Sequence, residues 1–534
     1  MRTCYVAGNL YRRLMVSAGV AASLTGVALA QGSRVCAGCH KEVWQTYRQT
    51  GMGRSFLRLA PETTLEEFTK NNQYYHEPSQ SYFTMLRRDG KYYQRRYQLD
   101  LTGRQINVME KEVDYILGSG NHARTYLHRT KANTLIQLPL GWYAEKGGYW
   151  AMNPGYDRPD HEGFRRPITY DCVFCHNAYP RIPPGHEQPF AEPVYEEALP
   201  EGIDCQRCHG SGDRHIQLAG TRGASPAAVR QAILNPARLS EERQMEGCMV
   251  CHLETTSFRL PNAVQRFERG PFSYQPGEPL ADFILNFDHA PGTGREDKFE
   301  LVNAAYRLRR SACFLKSNGK MLCTTCHNPH AVPRGLEAER HYTAVCRQCH
   351  ARQFEQLVRA GKHTPANNCA DCHMPKRRTE DVIHVVVTDH LIQRRKPSGN
   401  LLADRVERRD SYRGRVVLYY PETLPETAEN RLTLAVAQVI QGSNLTEGIP
   451  QLAEALKKYQ PQRPEYYVQL ADALQSNGQL NKSVELYREG VRRGPKFDAG
   501  LQKLGTALRR SAEYEGSIEA LKKAAALAPD RALT

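Results

Sequence analysis

Fourteen of the sixteen cysteines fall in one pattern, Cys-x-x-Cys-His, repeated seven times. The thiol pairs are Cys36 and Cys39, Cys172 and Cys175, Cys205 and Cys208, Cys248 and Cys251, Cys323 and Cys326, Cys346 and Cys349, and Cys369 and Cys372. Each pair is closed by a histidine: His40, His176, His209, His252, His327, His350 and His373. Two thiols three positions apart can reach the two vinyl groups of one haem and form thioether bonds, and the adjacent histidine then supplies the proximal iron ligand. Structural zinc does not demand a histidine after every second cysteine, and a disulfide framework explains neither the fixed spacing nor the histidines. The expectation is seven covalently bound c-type haems. Outside the motifs, Cys313 in Ser-Ala-Cys-Phe reads as a buried apolar thiol, with a redox or ligand role as the alternative.

Covalent haem attachment takes place outside the cytoplasm, and the N-terminus agrees. Arg2, Arg12 and Arg13 precede a mild apolar run from Leu14 to Ala30 that ends in Ala28-Leu29-Ala30, a small-x-small cleavage pattern. Residues 1–30 are expected to be a cleaved secretory signal and the mature protein to be periplasmic or secreted. Only 40% of residues are apolar and the mean hydropathy is −0.61, which excludes a polytopic membrane protein. The mature chain has no spanning segment of its own, though peripheral membrane association stays open. A net charge of +15 could suggest nucleic acid. Haem propionates account for such a surplus, and no nucleic-acid partner is expected.

Electron-transfer haems are usually six-coordinate, so each iron calls for a second ligand. Twelve histidines lie outside the motifs. Local context favours His122, His215, His289, His330, His363, His384 and His390 as distal ligands. His330 follows a proximal ligand in Cys-His-Asn-Pro-His, where proline holds the chain extended. His384 and His390 flank a valine run and share one face if that strand continues. His122 and His128 bracket an expected helix start after Gly118-Ser119-Gly120. Met52, His128 and His341 form a reserve set, while His76, His161 and His186 read as loop residues. No catalytic residue is expected.

The fold expected is mainly α with irregular loops: a multihaem cytochrome c domain over 31–396, a linker over 397–429, and an all-α tetratricopeptide repeat domain over 430–534. A small β-rich insertion is expected near 70–115. There Asp89-Gly90 separates aromatic-rich alternating runs, a hairpin signal. The Trp142-Tyr143 and Tyr149-Trp150 cluster reads as packing and turns. In the tail, Leu470 recurs as Leu504, Leu474 as Leu508, Ser483 as Ser517 and Pro495 as Pro529, each 34 residues on, the tetratricopeptide period. Repeats are expected near 430–463, 464–497 and 498–531, offering a docking surface for redox partner proteins.

With these motifs, the sequence resembles the secreted multihaem cytochromes related to the nitrifier tetrahaem cytochrome family, in a variant with a tetratricopeptide tail. The likeness is carried by the seven motifs, by Cys323-Thr-Thr-Cys326-His327-Asn-Pro-His330, by Cys205 through His215, and by Val382-Ile-His384 with Asp389-His390. The resemblance implies closely packed haem pairs and distal histidines at His215 and His330. It also implies a histidine where this chain has Met52. The function expected is an exported electron carrier whose tail docks a partner. The alternative is a multihaem oxidoreductase with one open iron acting on a small nitrogen or sulfur compound; the absence of Cys-x-x-Cys-Lys removes one version of it.

Overall fold

A computed structural model describes residues 34–529 except 197, 258, 259, 366, 367, 409 and 410. The expected signal segment lies outside the described residues.

The first motif sits on α1 (Arg34–Ala37) and leads into α2 (Lys41–Tyr47). Ten strands follow: β1 (Phe56–Arg58), β2 (Gln73–His76), β3 (Ser81–Arg88), β4 (Lys91–Leu99), β5 (Gln105–Glu112), β6 (Tyr115–Leu117), β7 (Ala123–Arg129), β8 (Leu135–Gln137), β9 (Leu140–Tyr143) and β10 (Tyr149–Met152). They form a four-stranded sheet ordered β2-β3-β4-β5 and a six-stranded sheet ordered β1-β6-β7-β9-β10 with β8 on β7. The alternation of β3 buries Ser81, Phe83 and Met85. With Tyr92, Ile116, Tyr126, Leu138 and Leu140 these residues make the module's core.

The β-rich part is therefore larger than the 70–115 insertion expected, and the first half of the haem region is sheet rather than mainly α. The aromatic cluster is a strand pair, with Tyr149 opposite Tyr143 and Trp150 opposite Trp142. His128 lies on β7 and His122 just before it, so no helix starts there. Strands of three or four residues are too short for period-two alternation to register in sequence.

From Tyr170 to His373 short helices carry the other motifs: α3 (Tyr170–His176), α4 (Gln206–His209), α5 (Asp213–Ala219), α6 (Pro226–Gln231), α7 (Glu241–His252), α8 (Ala304–Arg309), α9 (Ala312–Lys316), α10 (Cys323–Cys326), α11 (Gly335–Arg359) and α12 (Ala370–His373). Strand β12 (Ile284–His289) pairs with β11 (Ala263–Gln265) on one side and with β15 (Val416–Tyr420) on the other, while β13 (Lys376–Arg378) pairs with β14 (Val386–Thr388). β15 lies within the stretch expected as linker. The tail is three helical hairpins: α13 (Ala428–Val439) with α14 (Leu445–Tyr459), α15 (Pro464–Ser476) with α16 (Leu480–Arg493), and α17 (Asp498–Arg510) with α18 (Tyr514–Leu527).

The first two hairpins do not stand apart from the haem region. Leu432, Val436, Leu452, Tyr466 and Leu470 share one buried cluster with Val264, Leu285, Phe287 and Val416 of the three-stranded sheet. Buried Arg266 donates to Asn430 Oδ1 at 2.6 Å and to Thr433 Oγ1 at 3.3 Å. Arg463 donates to the Phe267 carbonyl at 3.0 Å, and the Phe267 ring meets Tyr466 edge-on at 4.9 Å.

Candidate haem-binding centres

Each motif needs both thiols on one side of the backbone and the histidine one turn on, which a single helical turn provides. The amide of His40 bonds the Cys36 carbonyl at 2.8 Å, His209 that of Cys205 at 2.9 Å, His327 that of Cys323 at 2.9 Å and His373 that of Cys369 at 3.1 Å.

Four motif histidines face a second imidazole. Ring centres of His40 and His215 are 6.2 Å apart, His209 and His330 5.9 Å, His327 and His390 6.2 Å, and His373 and His363 6.1 Å. A metal held at about 2.0 Å by a nitrogen of each ring puts the two centres about 6 Å apart. These gaps are too wide for direct ring contact and of the size that one coordinated ion fills.

The second nitrogens support the same fit. Nδ1 of His209 bonds the Leu234 carbonyl at 2.9 Å, His215 that of Val229 at 2.8 Å, and His363 that of Thr364 at 2.6 Å. His373 reaches the Gln393 carbonyl at 2.6 Å and His390 that of Thr388 at 3.1 Å. A carbonyl can only accept, so Nδ1 carries the proton in each case and Nε2 keeps its lone pair for a metal. Burial lowers the pKa of His327, His330 and His390 and takes His176 down to about 4, holding all four in the neutral, ligating form.

The other expected distal ligands are placed differently. His384 lies between Tyr143 and Tyr149, with ring centres 4.8 and 5.9 Å away. It does not share a site with His390, because β14 ends before His390 and begins after His384. His289 is buried against Tyr412 with Nδ1 on Asp288, and its Nε2 has no hydrogen-bond partner among the described residues. His122 faces no motif histidine ring. Among the reserve set, His341 spends Nε2 on the Cys326 carbonyl at 2.9 Å, and His128 Nδ1 bonds the Glu112 carbonyl and Asp114. Met52 sits in a short 3-10 turn whose carbonyl receives Ser55. Three motif histidines, His176, His252 and His350, pair with no second imidazole ring among the described residues.

The thiols show how the centres adjoin. Cys36 and Cys205 interact directly, which lowers the first to about 7 and raises the second. Cys175 adjoins Cys251, Cys248 adjoins Cys323, and Cys346 adjoins Cys369. Cys313 lies within electrostatic range of Cys349 and Cys326, and burial raises its pKa. A further buried group, Glu254, Glu300 and Asp381, carries no motif that sequence reading could have found. Burial first, and then one another's charge, raises each to about 7.

Comparison with known proteins bears on two parts of the chain. A family profile described as "Doubled CXXCH motif" matches residues 316–355, and one described as "Tetratricopeptide repeat" matches 464–496. The dissimilatory sulfite reductase MccA of Wolinella succinogenes is 22% identical over 268 residues, 45% of this chain and 32% of that protein. The chain thus spans about a third of the length of this relative. Among solved structures, MamA is 21% identical over 20% of this chain and 62% of its own, with a TM-score of 0.18. YrrB, a TPR protein with an unusual peptide-binding site, is 19% identical over 20% and 55%, with a TM-score of 0.19. The doubled motif and the repeat mark the chain as a multihaem c-type cytochrome that binds haem covalently and carries tetratricopeptide repeats.

Proposed function

We propose that this is an exported heptahaem cytochrome that relays electrons, kin to the nitrifier tetrahaem cytochromes, with its repeats docking a redox partner. The observation that carries the reading is the set of four imidazole pairs at 5.9–6.2 Å, five of whose rings have Nδ1 tied to a backbone carbonyl. Bound haem would supply a one-electron iron couple at each motif. The chain's own part is to hold each iron from both sides and to keep neighbouring sites close.

In this reading His40 and His215 hold the first iron, His209 and His330 the third, His327 and His390 the fifth, and His373 and His363 the seventh. The adjoining thiols give the order of neighbours. Site 1 meets site 3 at Cys36 and Cys205, and Cys208 lies in electrostatic range of Cys248 and Cys251 of site 4. Site 4 meets site 5 at Cys248 and Cys323, and site 6 meets site 7 at Cys346 and Cys369. Site 2 branches from site 4 through Cys175 and Cys251. Cys346 of site 6 also lies in electrostatic range of Cys326 of site 5, so site 7 ends the row.

A second reading, a multihaem oxidoreductase with an open iron, is favoured by one observation: His176, His252 and His350 face no second imidazole among the described residues. Mass spectrometry of the holoprotein and low-temperature EPR of its ferric form separate the two. Seven haems with only low-spin signals fit the relay. A stoichiometric high-spin signal points to an open site, and fewer than seven haems overturns the count.

A further inference from the structure

Cations cluster along the chain next to the residues of the seventh site. Lys362 directly precedes His363. Arg394, Arg395 and Lys396 directly follow Gln393, whose carbonyl accepts from His373 Nδ1 at 2.6 Å. Lys376 follows His373 by three residues and opens β13. The His363 ring packs edge-on against Phe354 at 5.2 Å, and the Arg347 guanidinium lies over that phenyl ring at 5.2 Å. All six cationic side chains are exposed. Lys362, Lys376, Arg394, Arg395 and Lys396 pair with no carboxylate among the described residues. The exposed acids nearby in sequence are Asp371, inside the motif, and Glu355, which lies 3.8 Å from Arg359.

We propose that this patch is the docking surface for the acidic face of a soluble electron-carrier protein, which meets the chain at site 7. The inference rests on the relay reading, in which His363 and His373 hold a haem at the end of the row. Like charges gathered on one rim steer an oppositely charged partner and fix its approach, and they act on encounter more than on the tightness of the final complex. The two propionates a haem brings could engage some of these cations, but the patch holds more positive charge than one haem could neutralise. An anionic membrane would be the other natural occupant of a basic surface. It is disfavoured because, among the described residues within five chain positions of these cations, no large apolar side chain is exposed for insertion.

The test uses the haem-loaded full chain. Binding of short poly-L-glutamate is followed by isothermal titration calorimetry at about 20 mM and about 300 mM ionic strength, where screening lengths differ severalfold. The variant Arg394→Glu with Arg395→Glu and Lys396→Glu is compared with Lys458→Glu, Lys496→Glu and Lys522→Glu, an equal charge change on exposed positions of the tail. The expected result is about tenfold weaker binding at low ionic strength for the first variant only, with the difference lost at high salt.

Equal weakening in both variants would assign the effect to net charge and overturn the proposal. Unchanged binding in the first variant would mean that the haem's own carboxylates neutralise the patch, which also overturns it. Loss of binding to phosphatidylglycerol vesicles in the first variant, with poly-L-glutamate binding unaffected, would assign the surface to a membrane. The underlying reading is checked separately by EPR of His363→Ala. If no iron changes spin state, site 7 is not held as described, whatever the probe does.

Discussion

His363 illustrates how one side chain can be read for its chemistry. Its Nδ1 is committed to the Thr364 carbonyl, so only Nε2 can face His373. Replacing it with alanine is expected to turn one ferric iron from low-spin to high-spin while the haem count by mass stays unchanged. The Arg307–Asp389 pair is a second single-residue case, because both side chains are fully buried and lie 2.6 Å apart. Asp389→Ala would leave Arg307 with only exposed Asp297 to pair with. The expected cost is about 3–5 kcal/mol, read by chemical denaturation.

The pH response follows from Glu254, Glu300 and Asp381, each raised to about 7 mainly by burial. Unfolded, these carboxyls titrate near pH 4. Between about pH 4 and 7 these three groups bind more protons in the native state than in the unfolded one, and their contribution to stability falls as pH rises through that window. Relative to the wild type, Glu300→Gln is expected to lose less melting temperature between pH 5 and pH 8. An identical change in the two proteins would mean that Glu300 is already ionised in the fold at pH 5.

Among the elements, the β3–β4 hairpin is where sequence and structure agree most closely. Asp89 and Gly90 take φ of 52° and 76°, the left-handed pair that a two-residue type I′ turn requires. Gly90→Ala would place a Cβ in that region and is expected to cost about 1 kcal/mol, measurable by urea denaturation. This turn was legible because its dipeptide has a local conformational reason. The 34-residue period was legible for a similar reason, since each hairpin repeats the same packing positions. Strands β6 to β10 were not, because their pairing is set by partners elsewhere in the sheet. Tyr143 meets Tyr149 across a turn, and Leu127 meets both Tyr115 and Gln137. The haem motifs were plain, but the facing imidazole pairs were only half so. His215, His330, His363 and His390 face motif histidines, whereas His122, His289 and His384 satisfied the same local criteria and face none. Behind three of the four rings that do face one stands a backbone carbonyl, those of Val229, Thr364 and Thr388, and a backbone acceptor leaves no mark in a sequence.

At the scale of the whole molecule, the repeats are built into the haem region rather than hung from it. Helices α13 and α15 turn Leu432, Val436 and Tyr466 into the same core as Leu285, Phe287 and Val416. The Phe190 ring reaches Phe497 at 6.1 Å, with Lys503 over the same ring. Much of the surface that these helices could offer is thus already taken by the chain itself. The faces left for a partner are the outer ones, including a groove of about 600 Å³ between α14 and α16 lined by Ile449, Leu456, Leu474 and Leu486. A shared core also couples the stability of the two parts. Leu432→Ala removes a side chain that is 3% exposed, and its expected cost is about 2–5 kcal/mol. Because the lost contacts belong to β12 and β15 as well as to the tail, the haem region and the repeats should melt together in one calorimetric transition, shifted as a unit by the substitution. If the tail were an independent module, Leu432→Ala would split that transition and leave the haem region's melting temperature where it was.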